Sequence, residues 1–276
     1  MDRRTERVRR FYERAPFPGY PARDNLAAFR ARAAHNAFVR LLDRSIPGDA
    51  QIVDLGCGTG QMALYLAKAD RRVVGADLTP ASLALANAAA KRFGLRVHFV
   101  ETDLRSAGLR SGAFDVVLSS GVLHHTPDPR AAFASIVPLV RPGGIIVLGV
   151  YNAFARIPLR LRRALARASG FRFIPGDPVL RDRQAEPARG EAWLRDQYLH
   201  PEEHRHTLAQ VQRWFAENGV EFLRTYPSTT LDDEPTDLFS SASDNWAPEA
   251  WLAQVQWMWT LGREGGLFFT IGRRSA

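Results

Sequence analysis

The sequence is short of three things. It has one cysteine, Cys57, and two lysines, Lys68 and Lys91, and no apolar run reaches the roughly 18 residues that a membrane span needs. A lone thiol can form neither an internal disulfide nor a multi-thiolate metal centre, which agrees with a reducing compartment. The start, Met1-Asp2-Arg3-Arg4, leads into charge rather than the apolar core of a signal peptide, so the expected location is cytoplasmic. With lysine so scarce, the formal charge of +8 is almost all arginine. Such a surface can attract nucleic acid, anionic lipid or acidic ligands, or can simply be solvated. At 276 residues and 46% hydrophobic, the chain can bury a substantial core, and an ordered chain is expected.

From about residue 50 to 151, short apolar runs alternate with alanine-rich helical runs. This pattern predicts βαβ units and a doubly wound, seven-stranded, mostly parallel α/β sheet with helices on both faces. Strands are expected at 51–55, 72–76, 97–101, 114–119 and 145–150, each continuously apolar as befits a strand covered on both faces. Thr79-Pro80 reads as the cap and first turn of a helix to Phe93, which Gly94 stops, and Pro142-Gly143-Gly144 breaks the chain before the fifth strand. A sixth strand is expected at 220–226, after a helix capped by Thr207, and the last at 267–271.

Residues 1–45 read as an N-terminal helical and lid segment. Its proline-stiffened aromatics, Tyr12, Phe17 and Tyr20 among them, suit either a cover over a pocket or packing against the body. The main domain spans 46–276, with helical insertions at about 152–206 and 227–264. The first holds a basic helix to Ala168 and then an irregular stretch with Pro175, Pro178 and Pro187. The second holds a helix from about Pro248 whose Trp251, Val255 and Trp259 share a face at helical spacing, as core or interface packing does.

The strongest signal is Val53-Asp54-Leu55-Gly56-Cys57-Gly58-Thr59-Gly60, a strand entering a glycine-rich turn that opens a helix at Gln61. A tight turn needs backbone angles that side chains forbid. A ligand approaches the main chain closely only where no Cβ intervenes, and the helix N-terminus adds directed N–H groups. Dinucleotide enzymes place G-x-G-x-x-G here, which would put the third glycine at position 61, but 61 is Gln61 and the glycine is Gly60. The G-x-G-x-G spacing after an acidic residue resembles the nucleotide loop of the class I S-adenosylmethionine-dependent methyltransferases.

The resemblance extends to the later strand ends. Asp77 closes the second strand about twenty residues after the loop, where a carboxylate can accept both ribose hydroxyls. Asp103 after the third strand holds the position that in the family faces the adenine amino group, with Leu78 and Leu104 beside the cofactor. The fourth strand ends in Ser119-Ser120 and leads through Gly121-Val122-Leu123 to His124-His125-Thr126-Pro127-Asp128, similar to the family's fourth motif. Implied cofactor contacts are therefore Asp54, Gly56, Cys57, Gly58, Gly60, Gln61, Asp77, Leu78, Asp103, Leu104, Ser119 and Ser120. The chain is also similar to a subgroup with a Pro-Phe-Pro lid, a Tyr-Asn pair (Tyr151-Asn152) and an Asp-Gln-Tyr segment (Asp196-Gln197-Tyr198).

Methyl transfer from a sulfonium is an in-line displacement, so alignment and exclusion of water are the main demands. A base helps if the acceptor is a hydroxyl or a protonated amine. His125 and His124 are the candidates, each weighed against a scaffolding role for the loop. Tyr12, Phe17, Tyr20, Tyr151, Asn152, Gln197, Tyr198, His200 and His206 are the candidate acceptor-binding residues. Absences narrow the acceptor. No Asn-Pro-Pro-Tyr or Asp-Pro-Pro-Tyr follows the fourth strand, against exocyclic base amines. Cys57 is a loop spacer, against a cysteine nucleophile. His200-Pro201-Glu202-Glu203-His204 departs from H-E-x-x-H at Pro201, so no metal is expected.

The expected function is methyl transfer to oxygen or nitrogen of a small molecule. One alternative is an RNA- or membrane-associated enzyme using Arg3, Arg4, Arg7, Arg9 and Arg10 with Arg156, Arg160, Arg162, Arg163 and Arg167. A second is a nicotinamide-dependent oxidoreductase or an idle nucleotide-binding module.

Overall fold

A computed structural model describes residues 2–20, 24–68, 70–174, 176–182, 187–230, 233, 235–242, 247–263 and 265–276. Three helices, α1 (Arg3–Arg14), α2 (Leu26–His35) and α3 (Ala37–Ser45), precede the sheet. The alternating body follows: β1 (Gln51–Leu55), α4 (Gln61–Leu66), β2 (Arg72–Asp77), α5 (Pro80–Phe93), β3 (His98–Glu101), β4 (Phe114–Ser120), α6 (Pro129–Ile136) and β5 (Val140–Tyr151). Then come α7 (Ile157–Ala168), α8 (Pro178–Asp182), α9 (Pro187–Tyr198), α10 (Leu208–Glu217), β6 (Val220–Tyr226), α11 (Ala247–Gln256) and β7 (Leu267–Arg274).

The seven strands lie in the order β3-β2-β1-β4-β5-β7-β6. β1 to β5 are parallel, and β7 runs antiparallel between β5 and β6. Successive strand residues point to opposite faces. Val117, Ile146 and Leu148 therefore pack with Phe133 of α6 and Phe215 of α10, while Val116, Leu118 and Val147 pack with Phe38 and Leu42 of α3 and Leu66 of α4. Two buried faces explain why the strands read as unbroken apolar runs. Strand order reverses between β1 and β4, and open α/β sheets bind ligands at the carboxyl end of such a switch point.

Four local expectations are corrected. Residues 141–144 do not break the chain before the fifth strand. β5 begins at Val140, and those residues form an irregularity between the pairs Phe114↔Val140 and Val116↔Ile145. Thr79 stands at the α5 N-cap position but makes no capping bond. Its hydroxyl donates instead to Asp77 Oδ1 at 2.6 Å, a charged and therefore stronger acceptor.

The irregular stretch after α7 contains α8 and α9, the first capped by Asp177 accepting from Val179 and Leu180; Pro175 lies outside the described residues. The tryptophan stripe is not core. α11 ends at Gln256, Trp251 and Trp259 are 54% and 64% exposed, and the buried indole is Trp257. Helical spacing places 251 and 259 on one face only while the helix continues.

Candidate active site

Gly56, Gly58 and Gly60 all take positive φ, at 75°, 54° and 80°, a region costly for any residue with a Cβ. Space decides the same way at Gly58, where a Cβ would stand 2.7 Å from the Phe17 carbonyl oxygen. The loop's amides, however, turn inward. Gly56 and Cys57 N–H both donate to the Ala76 carbonyl at 2.7 and 3.0 Å, Gly58 N–H donates to Asp77 Oδ2 at 2.8 Å, and Gly60 N–H to the Cys57 carbonyl at 2.8 Å. These four amides are consumed by the end of β2 and the turn itself. The glycines thus supply close approach, and the expected N–H donors for a ligand are not among them.

What the loop offers a ligand is negative charge. Asp54, Asp77 and Asp103 all line a cavity of about 1080 Å³ at the carboxyl ends of β1, β2 and β4. Asp77 Oδ1 accepts from Thr79 N and Oγ1, leaving Oδ2 with a single partner, Gly58, and thus with a free lone pair. Asp103 is tied more fully: Oδ1 accepts from Arg105 N and Nε, and Oδ2 from Arg105 Nη2 at 2.6 Å. Burial beside the Asp77 charge pushes the Asp54 carboxyl up to about 7. Burial likewise raises the Cys57 thiol far out of the reactive range, so it is a spacer and not a nucleophile.

The segment after α1 closes over this loop. Thr59 Oγ1 donates to the Pro18 carbonyl at 2.5 Å, Tyr20 OH to the Thr59 carbonyl at 2.7 Å and Gln61 Nε2 to the Gly19 carbonyl at 3.1 Å. Helix α1 is strapped down by ion pairs of Arg4 and Arg7 with Glu202, of Arg9 with Glu101 and of Arg105 with Asp2.

At the other end of the cavity stand Tyr12, His125, Tyr151, Asp196 and Gln197. His125 Nδ1 lies 2.7 Å from the Glu202 carbonyl oxygen. A carbonyl only accepts, so Nδ1 carries the hydrogen and Nε2 the lone pair. Burial lowers this imidazole to about 4, keeping it neutral. Tyr12 OH donates to Asp196 Oδ1 at 3.0 Å, and Gln197 Nε2 donates to Tyr151 OH at 2.9 Å and to Asp196 Oδ2 at 2.6 Å.

Behind them lies a buried charge cluster. Arg156 donates to Gln197 Oε1 and to Glu203, stacks over the Tyr151 ring at 3.8 Å, and shares Glu203 with Arg163. Burial pushes the Glu203 carboxyl up, but the two guanidinium groups override it and hold it below its usual range.

Most expected residues meet at the cavity: Tyr12, Phe17, Tyr20, Asp54, Gly56, Cys57, Gly58, Gln61, Asp77, Leu78, Asp103, Leu104, Ser120, His125, Tyr151 and Gln197. Others stand behind its wall. Gly60 is against Ala86 and Phe99, Ser119 donates to the Leu55 carbonyl, and Asn152 caps Phe154 and Ala155. Tyr198 donates to Asp177, and His206 packs on Trp214. His124 is fully buried and stacked 3.8 Å from Tyr151 with both ring nitrogens unpartnered, while His200 stacks on His125 at 3.7 Å. Sequence reasoning missed Asp196, Arg105, Trp193 and Glu203. Asp196 stood inside the Asp-Gln-Tyr segment already singled out, and the others gave no local signal.

A family model described as "Methyltransferase domain" matches residues 53–148, from β1 through most of β5. Residues 53–148 are a methyltransferase domain. The spare lone pair of Asp77 and the inward-turned loop amides suit a ribose better than a pyrophosphate. An uncharacterized protein of Synechococcus sp. is 29% identical over 248 residues, covering 79% of this chain and 59% of that protein. A ubiquinone biosynthesis O-methyltransferase of Colwellia psychrerythraea is 30% identical over 152 residues, covering 55% of this chain and 61% of that enzyme. The chain therefore spans about three fifths of the length of these relatives. Among solved structures, magnesium protoporphyrin IX methyltransferase from Synechocystis with bound S-adenosylmethionine has the same fold. Its TM-score is 0.54 at 16% identity, covering 100% of this chain and 98% of that one.

Proposed function

We propose that the chain is an S-adenosylmethionine-dependent methyltransferase acting on oxygen or nitrogen of a small molecule. On this reading residues 1–45 are the lid segment and 46–276 the catalytic domain, with insertions at about 152–206 and 227–264. The observation that carries it is the polarity of the loop: the amides of Gly56, Cys57, Gly58 and Gly60 are satisfied internally, and carboxylates face the cavity. A dinucleotide's phosphates need N–H donors at this turn, whereas a ribose hydroxyl is served by the spare lone pair of Asp77 and an ammonium by the buried Asp54 carboxyl beside it. The name of the Colwellia relative, an O-methyltransferase, favours an oxygen acceptor.

Bound there, S-adenosylmethionine supplies a methyl carbon activated by its sulfonium for one in-line displacement. The chain's own residues do the rest. Asp77 accepts from the ribose, the lid keeps water out, and Tyr12, Tyr151 and Gln197 orient the acceptor. His125 accepts the acceptor's proton at Nε2 as the new bond forms. The N-terminal arginines speak against RNA, since Arg4, Arg7 and Arg9 are already paired with Glu202 and Glu101.

Thermal shift tests the reading. S-adenosylmethionine at a hundred times its Kd stabilises by about 2.7 kcal/mol. It and its demethylated product should raise Tm, NAD should not, and Asp77→Ala should abolish the rise. Stabilisation by NAD alone would overturn it.

A further inference from the structure

Helix α7 divides its faces in an unusual way. Leu159, Arg163 and Ala166 are buried against the body, with Leu159 and Ala166 in a small core shared with Tyr198. Leu161 and Leu165, one helical turn apart on the outer face, are 63% and 56% exposed. The turn that follows continues the same chemistry, with Phe171 at 40% and Phe173 at 63% exposure. Phe171 also holds a φ of 61°, left-handed backbone that a side chain enters only at a cost. Phe171 N–H donates to the Ala166 carbonyl at 2.7 Å, so the helix end accounts for the backbone, while the water-facing rings and leucines form an apolar face that a partner would cover.

Charge identifies what covers this face. Residues 153–176 contain six arginines and no acidic residue. Arg156 and Arg163 are buried on Glu203. Arg160, Arg162, Arg167 and Arg172 remain, and among the described residues none of the four makes an ion pair. Arg160 and Arg205 lie close enough for the positive charge of Arg160 to lower the Arg205 guanidinium, after burial. A row of leucine and phenylalanine fringed by unpaired arginine matches an interfacial membrane helix, whose apolar side enters the acyl boundary while its cations meet anionic headgroups. Single-stranded nucleic acid would use Phe171 and Phe173 as stacking rings, but it has no use for the equally exposed Leu161 and Leu165, which an acyl boundary takes up. The position fits too. α7 leaves the carboxyl end of β5 and packs on the layer containing α9, whose Trp193, Asp196 and Gln197 line the cavity.

We propose that the outer face of α7 and the 171–173 turn dock this protein on an anionic phospholipid bilayer. The inference stands apart from the proposed activity, because docking needs no cofactor. The test is co-sedimentation of the full chain with vesicles of phosphatidylcholine alone and of phosphatidylcholine mixed with phosphatidylglycerol. The protein should pellet with the mixed vesicles and release as salt is raised. The surface double variant L161D/F173D should bind about tenfold or more weakly, as should R160E/R167E. Both should keep wild-type Tm and far-ultraviolet circular dichroism. Wild-type protein that ignores both vesicle types overturns the proposal, as does L161D/F173D binding like wild type. A dimer that L161D/F173D dissociates, or retention on bulk RNA that competes with vesicles and is lost in L161D/F173D, would assign the face to another partner and overturn it as well.

Discussion

Asp77 serves two masters: it anchors the glycine loop through Gly58 and the start of α5 through Thr79, while its remaining lone pair faces the cavity. Gly58 is constrained twice, by its φ of 54° and by the Phe17 carbonyl above it. Gly58→Ala should cost roughly 1–2 kcal/mol for the left-handed backbone alone and push the lid off. The expected result, read by titration calorimetry, is weaker cofactor binding in a protein that still folds. His125→Asn should lower kcat by about 10²- to 10⁴-fold while cofactor Kd stays put; an unchanged kcat would make this histidine a scaffold. The glycine loop, Asp77 and the histidine pair were legible in the sequence because each is a local motif at a strand end. Which histidine faces the cavity was not, since His124 and His125 differ only in how the backbone presents them. Nor was the link from Tyr12 to Asp196, two residues 184 positions apart that only folding brings together.

Among elements, the strands were legible to within a residue or two at most ends, because a sheet buried on both faces demands long apolar runs. α8 and α9 were not, because their prolines read as breaks although Pro178 and Pro187 occupy first turns, where the missing N–H is harmless. The stretch from His200 to His206 is held by Glu203, which clamps two arginines of the α7 region from 47 and 40 residues away. Removing one member of a buried charge cluster leaves the others unpaired, at about 3–5 kcal/mol. Glu203→Ala should therefore lose about that much in urea unfolding. A loss under 1 kcal/mol would mean that water reaches the arginines.

Over the whole molecule, His124, His125, His200 and His206 are all buried, and burial lowers each of them: His125 and His206 to about 4, and His200 to about 3. An unfolded histidine titrates near 6.5. Below that pH the unfolded chain takes up protons that the folded one refuses, so stability present above about 6.5 drains away as pH falls toward 4 and 3. Asp54, raised to about 7, works in the opposite sense: its contribution is present in acid and lost as pH rises through about 7. Four groups outweigh one, and Tm should fall steadily from pH 6.5 to 4. A flat Tm over that range would show that water reaches these rings.

Residues 18–20 are clasped to the glycine turn by three hydrogen bonds, and on the proposed reading the spent donor leaves once that clasp opens. If that opening takes the first helix with it on every cycle, release rather than chemistry sets the pace. The pairs holding that helix are mostly exposed and are weakened by added salt. Turnover should accordingly quicken from dilute to moderately saline buffer and slow in viscous solution, both of which steady-state rates would reveal.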